Sequence, residues 1–430
     1  MRIGIIADDL TGANDSGVQL SRRGLQTSVR FDVSDNDIAA EKAIVLDTDS
    51  RSLQQTEAYD RVRRAARFLK ENHFPVIYKK IDSTLRGNLG AEADATYDEL
   101  LPDFVVIAPA YPKNGRKIVS GHLYLHDIPV NETEIANDPK CPVDQSDVGH
   151  VFQKQTNRPI GHIYKQDLKN GFDTVKAKMD AFLKAGIPYL LFDSETEEEL
   201  RAAATFVHQS GYNIVWLGSA GLANYLPDIY HIKDNHSMPA KVNTNASPVL
   251  LVAGSVSSVT RKQLEAFLYH ERVEGIMVTA ALLLSEQTWK TEIAKAAAKA
   301  KTAYSKGYHV AIYPTGDKSA VNEAQKLGER LGYEKAEVST LIVQRLGYLT
   351  NLLLNDISFS GIILTGGDTA KQVCTSIGAA GIQLLDEIET GIPLGKLIGR
   401  HEIHAVTKAG AFGTEETFIK AAKILQGADL

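Results

Sequence analysis

The chain has 430 residues, of which 43% are hydrophobic and 23% are charged, and its net charge is -6 at pH 7. A single core stops growing at roughly 250 to 300 residues, so this length predicts two domains. The negative charge gives no electrostatic reason to expect nucleic acid or an anionic membrane as a partner. Local basic residues would therefore have to hold any anionic substrate.

Cysteine usage and hydropathy favour a cytoplasmic protein. Cys141 and Cys374, the only two cysteines, lie far apart in sequence, which argues against a disulfide framework or a cysteine-rich metal site. Asp8 interrupts the first apolar run too early for a signal peptide. No uncharged run approaches the roughly 18 residues of a membrane span, so we expect no membrane partner.

The chain begins with a pattern typical of a strand, a turn and a helix. Residues 3–7 are apolar, residues 8–17 are mostly small or polar, and residues 18–23 have helical spacing. A turn of this kind lies at the carboxyl edge of a sheet, beside a helix N-terminus, and can bind a small polar ligand. The structural alternative is that Asp15 or Ser16 caps the helix and Asp8 closes the turn.

The next predicted strands also end in polar residues. Apolar runs at 43–46, 76–78 and 104–108 alternate with helical patterns at 55–71 and 89–100. This alternation predicts a largely parallel sheet, because parallel neighbours need crossover connections. The polar residues that follow these strands should then lie at one edge of the sheet.

The side chains expected at this edge suit a hydroxy acid. Arginine and lysine can bind a carboxylate through charge-assisted hydrogen bonds, whereas aspartate, serine and threonine can bind neighbouring hydroxyl groups. The structural alternative is that the lysines are solvated at a strand end and that Arg86 forms a surface ion pair. The candidates are Asp8, Asp9, Arg51, Lys79, Lys80, Asp82, Ser83, Thr84 and Arg86.

Residues 117–129 have the pattern of a β-hairpin, and His122 and His126 within it are spaced four apart. Because the segment is predicted as strand rather than helix, we do not expect these histidines to form a metal pair. Residues 228–248 are polar and lack periodicity. We therefore predict a domain of residues 1–235, a linker at 236–248 and a second domain of residues 249–430.

In the second half, strand patterns at 249–253, 361–364 and 404–407 each end in small residues that lead to a helix. Glycine lets the backbone approach a phosphate chain, and helix N-termini supply donors, so a nucleotide is the expected ligand. Neither a phosphate-loop signature nor a full dinucleotide fingerprint is present, which makes a dehydrogenase the weaker alternative. We predict that Asp368 caps its helix while the surrounding backbone binds the nucleotide.

Six short motifs together resemble the four-carbon acid sugar kinases over nearly the whole chain. The stretches beginning at Tyr78 and Leu364 resemble the D-threonate and D-erythronate kinase branch more than the branch that phosphorylates 3-oxo-tetronates. The six motifs are ADDLTGANDSG from Ala7, YKKIDSTLRGN from Tyr78, IAPAYPKNGR from Ile107, GSAGLA from Gly218, LTGGDTA from Leu364 and TKAGAFG from Thr407.

The resemblance implies that the first half binds a four-carbon sugar acid and the second half binds ATP. The expected fold is α/β, with two mainly parallel sheets flanked by helices and the active site in the cleft between the domains. The implied acid-binding residues are Asp9, Arg51, Lys80, Asp82, Ser83, Thr84 and Arg86. The implied ATP-binding residues are Gly366, Gly367, Asp368, Thr369, Gly410 and Ser255, with Ser257 as the alternative to Ser255.

The expected reaction is phosphorylation of the terminal hydroxyl of the acid. Arg51, Lys80 or Arg86 would hold the carboxylate, and Asp82 or Asp9 would accept the hydroxyl proton. Domain closure would exclude water, and Mg²⁺, whose protein ligands the sequence does not identify, would offset phosphate charge. The alternatives are a 3-oxo-tetronate kinase and a non-catalytic sensor of the same ligands. The long helices are compatible with a homodimer.

Overall fold

We describe the fold from a computed structural model, which covers residues 2–32, 38, 41–138, 140–232, 246–255, 257–270 and 272–428. The chain divides into two compact units, residues 1–236 and 237–430, called unit 1 and unit 2 below. Apart from residues 246–248, the predicted linker at 236–248 lies outside the described residues.

Unit 1 is built on a parallel sheet whose strands pair in the order β2, β3, β1, β4, β11, β5, β10, β9. A separate antiparallel ribbon contains β6, β7 and β8. The strands of unit 1 are β1 Ile3–Ala7, β2 Thr27–Arg30, β3 Ala43–Asp47, β4 Val76–Lys80, β5 Phe104–Ala108, β6 Arg116–Val119, β7 His122–Leu125, β8 Ile128–Pro129, β9 Ile160–Ile163, β10 Tyr189–Phe192 and β11 Ile214–Gly218.

Helices connect the parallel strands, as crossover connections require. In α2 (Gln55–Glu71), buried residues recur every three or four positions from Ala58 to Leu69 and pack on Ile44 and Leu46 of the sheet. The other helices of unit 1 are α1 Leu10–Arg22, α3 Leu89–Leu100, α4 Val148–Gln153, α5 Lys165–Lys169, α6 Phe172–Lys184, α7 Glu197–Gln209, α8 Ala220–Ala223 and α9 Leu226–Ile229.

Unit 2 has a mixed sheet in the order β13, β14, β12, β15, β18, β17, β16. The first five strands in this order are parallel, and the last two join the sheet antiparallel. The strands are β12 Leu250–Ala253, β13 Val273–Val278, β14 His309–Pro314, β15 Ile362–Thr365, β16 Ala379–Glu389, β17 Ile392–Gly399 and β18 His404–Lys408. The expected fold of two α/β domains with mainly parallel sheets is confirmed.

The helices of unit 2 cover its sheet. Phe267 of α10 (Ser258–Leu268) and Phe418 of α16 (Thr417–Leu425) pack on Leu251 and Val406 in one buried cluster. The remaining helices are α11 Ala280–Leu284, α12 Trp289–Ser305, α13 Lys318–Arg330, α14 Lys335–Asp356 and α15 Gly367–Ser376. In both units, the segments that the sequence assigns to ligands follow strand ends and precede helices.

Candidate active site

Neighbouring strands of unit 1 end at the same level of the sheet. Ala7 at the end of β1 pairs with Asp47 of β3 on one side and Lys80 of β4 on the other. Residues that follow these strands therefore lie at one carboxyl edge, where open α/β sheets bind ligands. We call the following set the unit 1 site: Asp8, Asp9, Arg51, Lys80, Asp82, Ser83, Thr84 and Arg86.

Arg51 lies at the centre of the unit 1 site, between two consecutive aspartates. Its Nε and Nη2 donate to Asp8 at 2.7 and 3.1 Å, and its Nη1 donates to Asp9 Oδ2 at 2.7 Å. The backbone N–H of Arg51 also donates to the Asp8 carbonyl at 3.2 Å, which fixes the segment that carries the side chain. Three polar nitrogens of Arg51 are thus already bound to protein carboxylates.

The first helix begins earlier than the sequence predicts. α1 begins at Leu10 and Asp9 is its N-cap residue, with Oδ1 accepting from Gly12 N at 2.8 Å. The prediction of a polar turn as far as residue 17 is wrong, and so is the structural alternative in which Asp15 or Ser16 caps the helix. Glycine, serine, threonine, asparagine and aspartate have low intrinsic helix propensity, but the Asp9 cap and burial of the first turns outweigh this preference.

Lys80 lies close to Asp9 because Gly12 has no side chain. A Cβ atom at Gly12 would lie 2.7 Å from Asp9 Oδ1 and 2.9 Å from Lys80 Nζ. The Lys80 ammonium donates one hydrogen bond, to the Ile81 carbonyl at 3.0 Å, and makes no other among the described residues. Its remaining N–H groups therefore have no hydrogen-bond acceptor among the described residues.

Asp82 organises the turn that follows β4. Its carboxylate accepts from Thr84 N at 3.3 Å and from the Thr84 hydroxyl, and it receives Arg86 Nε at 2.8 Å and Nη2 at 3.1 Å. Arg51 Nη2 lies 3.9 Å from the same carboxylate. The half-buried Ser83 at the head of this turn makes no hydrogen bond within the part of the chain that the structure describes.

Arg86 is also held from a loop that the sequence analysis did not single out. Asp138 accepts from Arg86 Nη1 at 3.0 Å, while its other oxygen accepts from the backbone of Lys140 and Cys141 at 3.0 and 2.8 Å. An aspartate in a long polar loop gives no periodic signal, so the sequence could not single it out. Two edges of the Arg86 guanidinium are therefore bound to carboxylates, one to Asp82 and one to Asp138.

The two predicted proton acceptors differ in basicity. Burial alone would raise the pKa of Asp82. Arg51, Arg86 and the Thr84 hydroxyl lower it by more than burial raises it, so the pKa lies far below its ordinary value. Burial, together with the charge of Asp8, raises the pKa of Asp9 above its ordinary value despite the charge of Arg51. Asp9 is therefore the more basic of the two carboxylates.

A fully buried ion pair lies beneath the unit 1 site. Lys79 Nζ lies 2.7 Å from Glu92 Oε2 of α3, and neither side chain is more than 1% exposed. Glu92 Oε1 accepts from the Ser50 hydroxyl at 2.5 Å, next to Arg51. The interpretation of Lys79 as a solvated strand end is wrong, and Lys79 supports the site from below rather than facing a ligand.

The turns of unit 2 also lie side by side. β15 pairs with β12 on one side and with β18 on the other, with Thr365 opposite both Ala253 and Lys408. The segments after these strands, residues 254–255, 366–369 and 409–410, are called the glycine turns. The predicted residues Ser255, Gly366, Gly367, Asp368, Thr369 and Gly410 all lie on them.

Glycine is required at two of these positions. Gly366 has a φ of +100°, which side chains rarely adopt, and it forms the N-cap of α15. A Cβ atom at Gly410 would collide with the Ser255 hydroxyl. The turns therefore present backbone rather than side chains, as close approach of a phosphate group requires.

The structure distinguishes between the two candidate serines. The Ser257 hydroxyl accepts from Thr260 N at 3.1 Å as the N-cap of α10, and it donates to the Gly410 carbonyl at 2.6 Å. The Ser255 hydroxyl accepts from Ser257 N at 3.3 Å, and it donates no hydrogen bond to any described residue. Ser257 is thus occupied as a structural cap, whereas the Ser255 hydroxyl proton has no acceptor among the described residues.

Asp368 does not cap its helix, so that prediction is wrong. α15 begins at Gly367, its N-cap is Gly366, and the exposed Asp368 is the second residue of the helix. The buried Thr369 lies behind the turns, where its Oγ1 would be 3.2 Å from a Cβ atom at Gly366. An acidic side chain in the first turn still complements the positive end of the helix dipole.

Lys408, at the end of β18, is a buried cation that the sequence analysis does not include among the nucleotide-binding residues. Its Nζ contacts Thr260 Oγ1 at 3.2 Å, Thr365 Oγ1 at 3.3 Å and the Gly410 carbonyl at 3.2 Å, and it has no carboxylate partner among the described residues. Burial lowers the pKa of Lys408 to about 8. The sequence signal is a lysine that immediately precedes a turn of small residues.

Comparison with known proteins supports this division of the chain. Residues 3–226 match the family model of a sugar-binding N-terminal domain, and residues 250–418 match that of a nucleotide-binding C-terminal domain. The D-threonate kinase of Salmonella typhimurium is 31% identical over 98% of this chain and 97% of its own length. The chain belongs to the four-carbon acid sugar kinases.

Other relatives of this kinase include both branches of the family. The D-erythronate kinase of Heliobacterium modesticaldum is 30% identical over 96% of this chain and 94% of its own length. A relative from Pseudomonas fluorescens, at 27% identity over 99% of this chain and 97% of its own length, is named 3-oxo-tetronate kinase. The crystal structure of a Haemophilus influenzae protein superposes with a TM-score of 0.78, at 26% identity, covering 98% and 100% of the two chains.

The expected class of enzyme is thereby confirmed, since the relatives are kinases and the second unit is a nucleotide-binding domain. The dehydrogenase alternative is excluded by the same finding. Within the described part of this kinase, no helix is both long enough and apolar enough to cross a membrane. The roles of the individual site residues, the interdomain cleft and the homodimer stay predictions.

Proposed function

We propose that the protein transfers the γ-phosphoryl group of ATP to the terminal hydroxyl of a four-carbon sugar acid such as D-threonate or D-erythronate. The observation that carries this proposal is the unit 1 site, where cations, carboxylates and a hydroxyl meet at one sheet edge in a sugar-binding domain. The names of relatives at 31% and 30% identity support this class of substrate.

On the acid side, the binding groups are those that the fold does not use. Ser83 and the ammonium of Lys80 retain hydrogen-bonding capacity, so Ser83 binds a hydroxyl group of the substrate and Lys80 binds its carboxylate. Arg51 and Arg86 act through Asp8, Asp9 and Asp82, whose positions they fix. A preorganised site of this kind binds without reordering its own charges.

Asp9 is the proton acceptor in this proposal. It is more basic than Asp82, and its side chain is 26% exposed, against 10% for Asp82. A carboxylate with a raised pKa is the better general base, because proton transfer is favoured when the pKa lies closer to the working pH. Asp82 instead holds Arg86 and the Thr84 turn in place.

On the nucleotide side, the glycine turns fit a chain of phosphate groups. The missing side chains at Gly366 and Gly410 leave backbone and the Ser255 hydroxyl accessible, and the first turn of α15 directs its N–H groups toward an anion. Lys408 places positive charge beneath the turns. Bound ATP supplies the phosphoryl group, and Mg²⁺, which uses few protein carboxylates when phosphates are present, offsets negative charge on its oxygens.

The test is ADP release with Mg-ATP and each of D-threonate, D-erythronate, their L-isomers and 3-oxo-tetronates, with a control lacking the acid. Mass spectrometry and ³¹P NMR of the product then locate the phosphate. A 4-phosphorylated aldonate is the expected product.

The results distinguish the branches of the family. Preference for a 3-oxo-tetronate would assign the protein to the other branch of the family, represented by the Pseudomonas fluorescens relative. ATP binding without ADP release for any acid would contradict the proposed substrate class and favour a sensor.

A further inference from the structure

The arginines of the unit 1 site are bound to protein carboxylates. Arg51 donates to Asp8 and Asp9, and Arg86 donates to Asp82 and Asp138. An acid substrate nevertheless brings a carboxylate that needs a cation with unused N–H groups. Lys80 is one such cation, but a single ammonium lacks the planar pair of donors that best matches a carboxylate.

Arg116, unlike Arg51 and Arg86, has no carboxylate partner among the described residues. Its Nη1 donates to the Asn114 carbonyl, and its Nε is buried without a hydrogen-bond partner among the described residues. Burial lowers the pKa of Arg116, and the charge of Asp82 does not compensate, whereas the pKa values of Arg51 and Arg86 are raised by their aspartates. The guanidinium is thus half-buried and has no ion-pair partner within the described chain.

A tight turn places Arg116 beside the unit 1 site. Tyr111 and Arg116 exchange backbone hydrogen bonds of 2.8 and 3.0 Å around a turn that closes at Gly115, whose φ is +73°. On β6, Arg116 shares a face with Ile118, since residues two apart on a strand point the same way. Ile118 packs in one buried cluster with Ile81 and Leu85.

These two residues flank the Asp82 turn, so the hairpin face that carries Arg116 is directed at that turn. The electrostatic effects on Arg116 agree with this placement near the Asp82 turn, because the charges of Asp82, Arg86 and Asp15 all act on its guanidinium. Arg116 is therefore an arginine without a carboxylate partner at the acidic edge of unit 1. The carboxylates at this edge are already neutralised by other cations of the protein.

We propose that Arg116 binds the carboxylate of the acid substrate, with Lys80 as the second cation, and so makes the site specific for acids over uncharged sugar alcohols. This inference rests on the proposed function. Nη2 makes no hydrogen bond among the described residues and can donate a charge-assisted bond to a carboxylate, and the buried Nε lies on the same planar edge of the guanidinium.

The test compares Arg116→Met with Lys117→Met in steady-state kinetics at saturating Mg-ATP. Lys117 is a matched control, since it lies next along β6, points to the opposite face and pairs with Asp127 at 2.8 Å. We expect Arg116→Met to raise KM for the acid about 10- to 100-fold with kcat little changed, since a lost charge-assisted hydrogen bond weakens binding of substrate and transition state alike. Lys117→Met should keep the wild-type KM.

Two further measurements separate carboxylate recognition from a structural effect. KM for ATP should stay unchanged in Arg116→Met, and slow turnover of threitol or erythritol, which lack the carboxylate, should be equally slow in variant and wild type. Added guanidinium ion should lower KM for the acid in Arg116→Ala. Arg116→Gln is measured in the same way if the methionine variant does not fold.

A KM for the acid within twofold of wild type in Arg116→Met, or in Arg116→Gln where the methionine variant does not fold, would overturn the role of Arg116 and leave the kinase proposal standing. A wild-type enzyme that phosphorylates none of the acids would overturn both. A parallel rise in KM for the acid and for the sugar alcohols would overturn carboxylate recognition and indicate a change in the shape of the site.

Discussion

Asp9 and Arg51 are joined by a 2.7 Å hydrogen bond between Oδ2 and Nη1, while the other oxygen of Asp9 caps α1 at Gly12 N. One carboxylate therefore fixes the start of a helix and one side of an arginine. Burial and the charge of Asp8 raise the pKa of Asp9, so this rigidly held group is also the more basic of the candidate proton acceptors.

Replacing Asp9 with asparagine removes the base but keeps the cap, because asparagine is an equally good N-cap residue. We expect kcat for the acid to fall about 10²- to 10⁴-fold, the typical contribution of a general base. The measurement is initial rate at saturating ATP and acid, with Asp60→Asn on the exposed face of α2 as the control. Turnover within a few-fold of wild type would exclude Asp9 as the base.

Asp82 should instead control stability at low pH. Its pKa is far below the ordinary value in the folded protein, so its contribution to the free energy of unfolding is present above the unfolded pKa near 3.8 and is lost as the pH falls further. Asp82→Asn should therefore unfold more easily at pH 7, by about 1 to 3 kcal/mol, and show a shallower loss of stability below about pH 5. Denaturant unfolding at several pH values measures both effects, and an unchanged slope would contradict this role.

The sequence predicts which segments of unit 1 meet, but not which charges pair. Polar residues after consecutive strands indicate a shared edge, and Arg51, Lys80 and Asp82 lie there. The pairing of Arg51 with Asp8 and Asp9 depends on side-chain directions that no linear pattern encodes. The start of α1 at Leu10 is set by a cap and by burial, which outweigh the weak propensity of the residues that follow.

In unit 2, the sequence likewise predicts where the candidate site lies but not every strand and charge around it. The small-residue turns identify the candidate nucleotide site, because glycine at a strand end has few structural explanations when it recurs. The antiparallel pair β16 and β17 was not predicted, since several residues of both strands are only partly buried and the hydrophobic alternation is weak. Residue type alone does not single out Lys408, because its burial is what makes it unusual.

The two serines of the first glycine turn should respond differently to substitution. Ser255→Ala should raise KM for ATP with little loss of stability, since its hydroxyl donates no bond within the described chain. Ser257→Ala should cost about 1 kcal/mol of stability, because it removes the cap of α10 and the bond to Gly410. Nucleotide titration and thermal unfolding of both variants test this, and the reverse pattern would assign the nucleotide contact to Ser257.

Lys408 should link nucleotide binding to pH. Burial lowers its pKa from 10.5 to about 8, so the unfolded chain binds more protons than the folded one between these values. The stability of the protein without nucleotide should therefore rise as the pH increases from about 8 to 10.5. The folded state bears the cost of a buried charge at neutral pH, and we expect a bound anion to offset part of that cost.

Lys408→Met removes this charge without removing the aliphatic chain. We expect the rise in stability between about pH 8 and 10.5 to flatten and KM for ATP at pH 7 to increase about tenfold or more, since a buried cation beneath phosphate groups contributes a charge-assisted interaction. Lys423→Met on the exposed side of α16 is the control, because it removes the same charge from the surface of the same unit. Denaturant unfolding across this pH range and ATP titration are the measurements. A variant that binds ATP normally would show that Lys408 only joins the three turns through Thr260, Thr365 and Gly410.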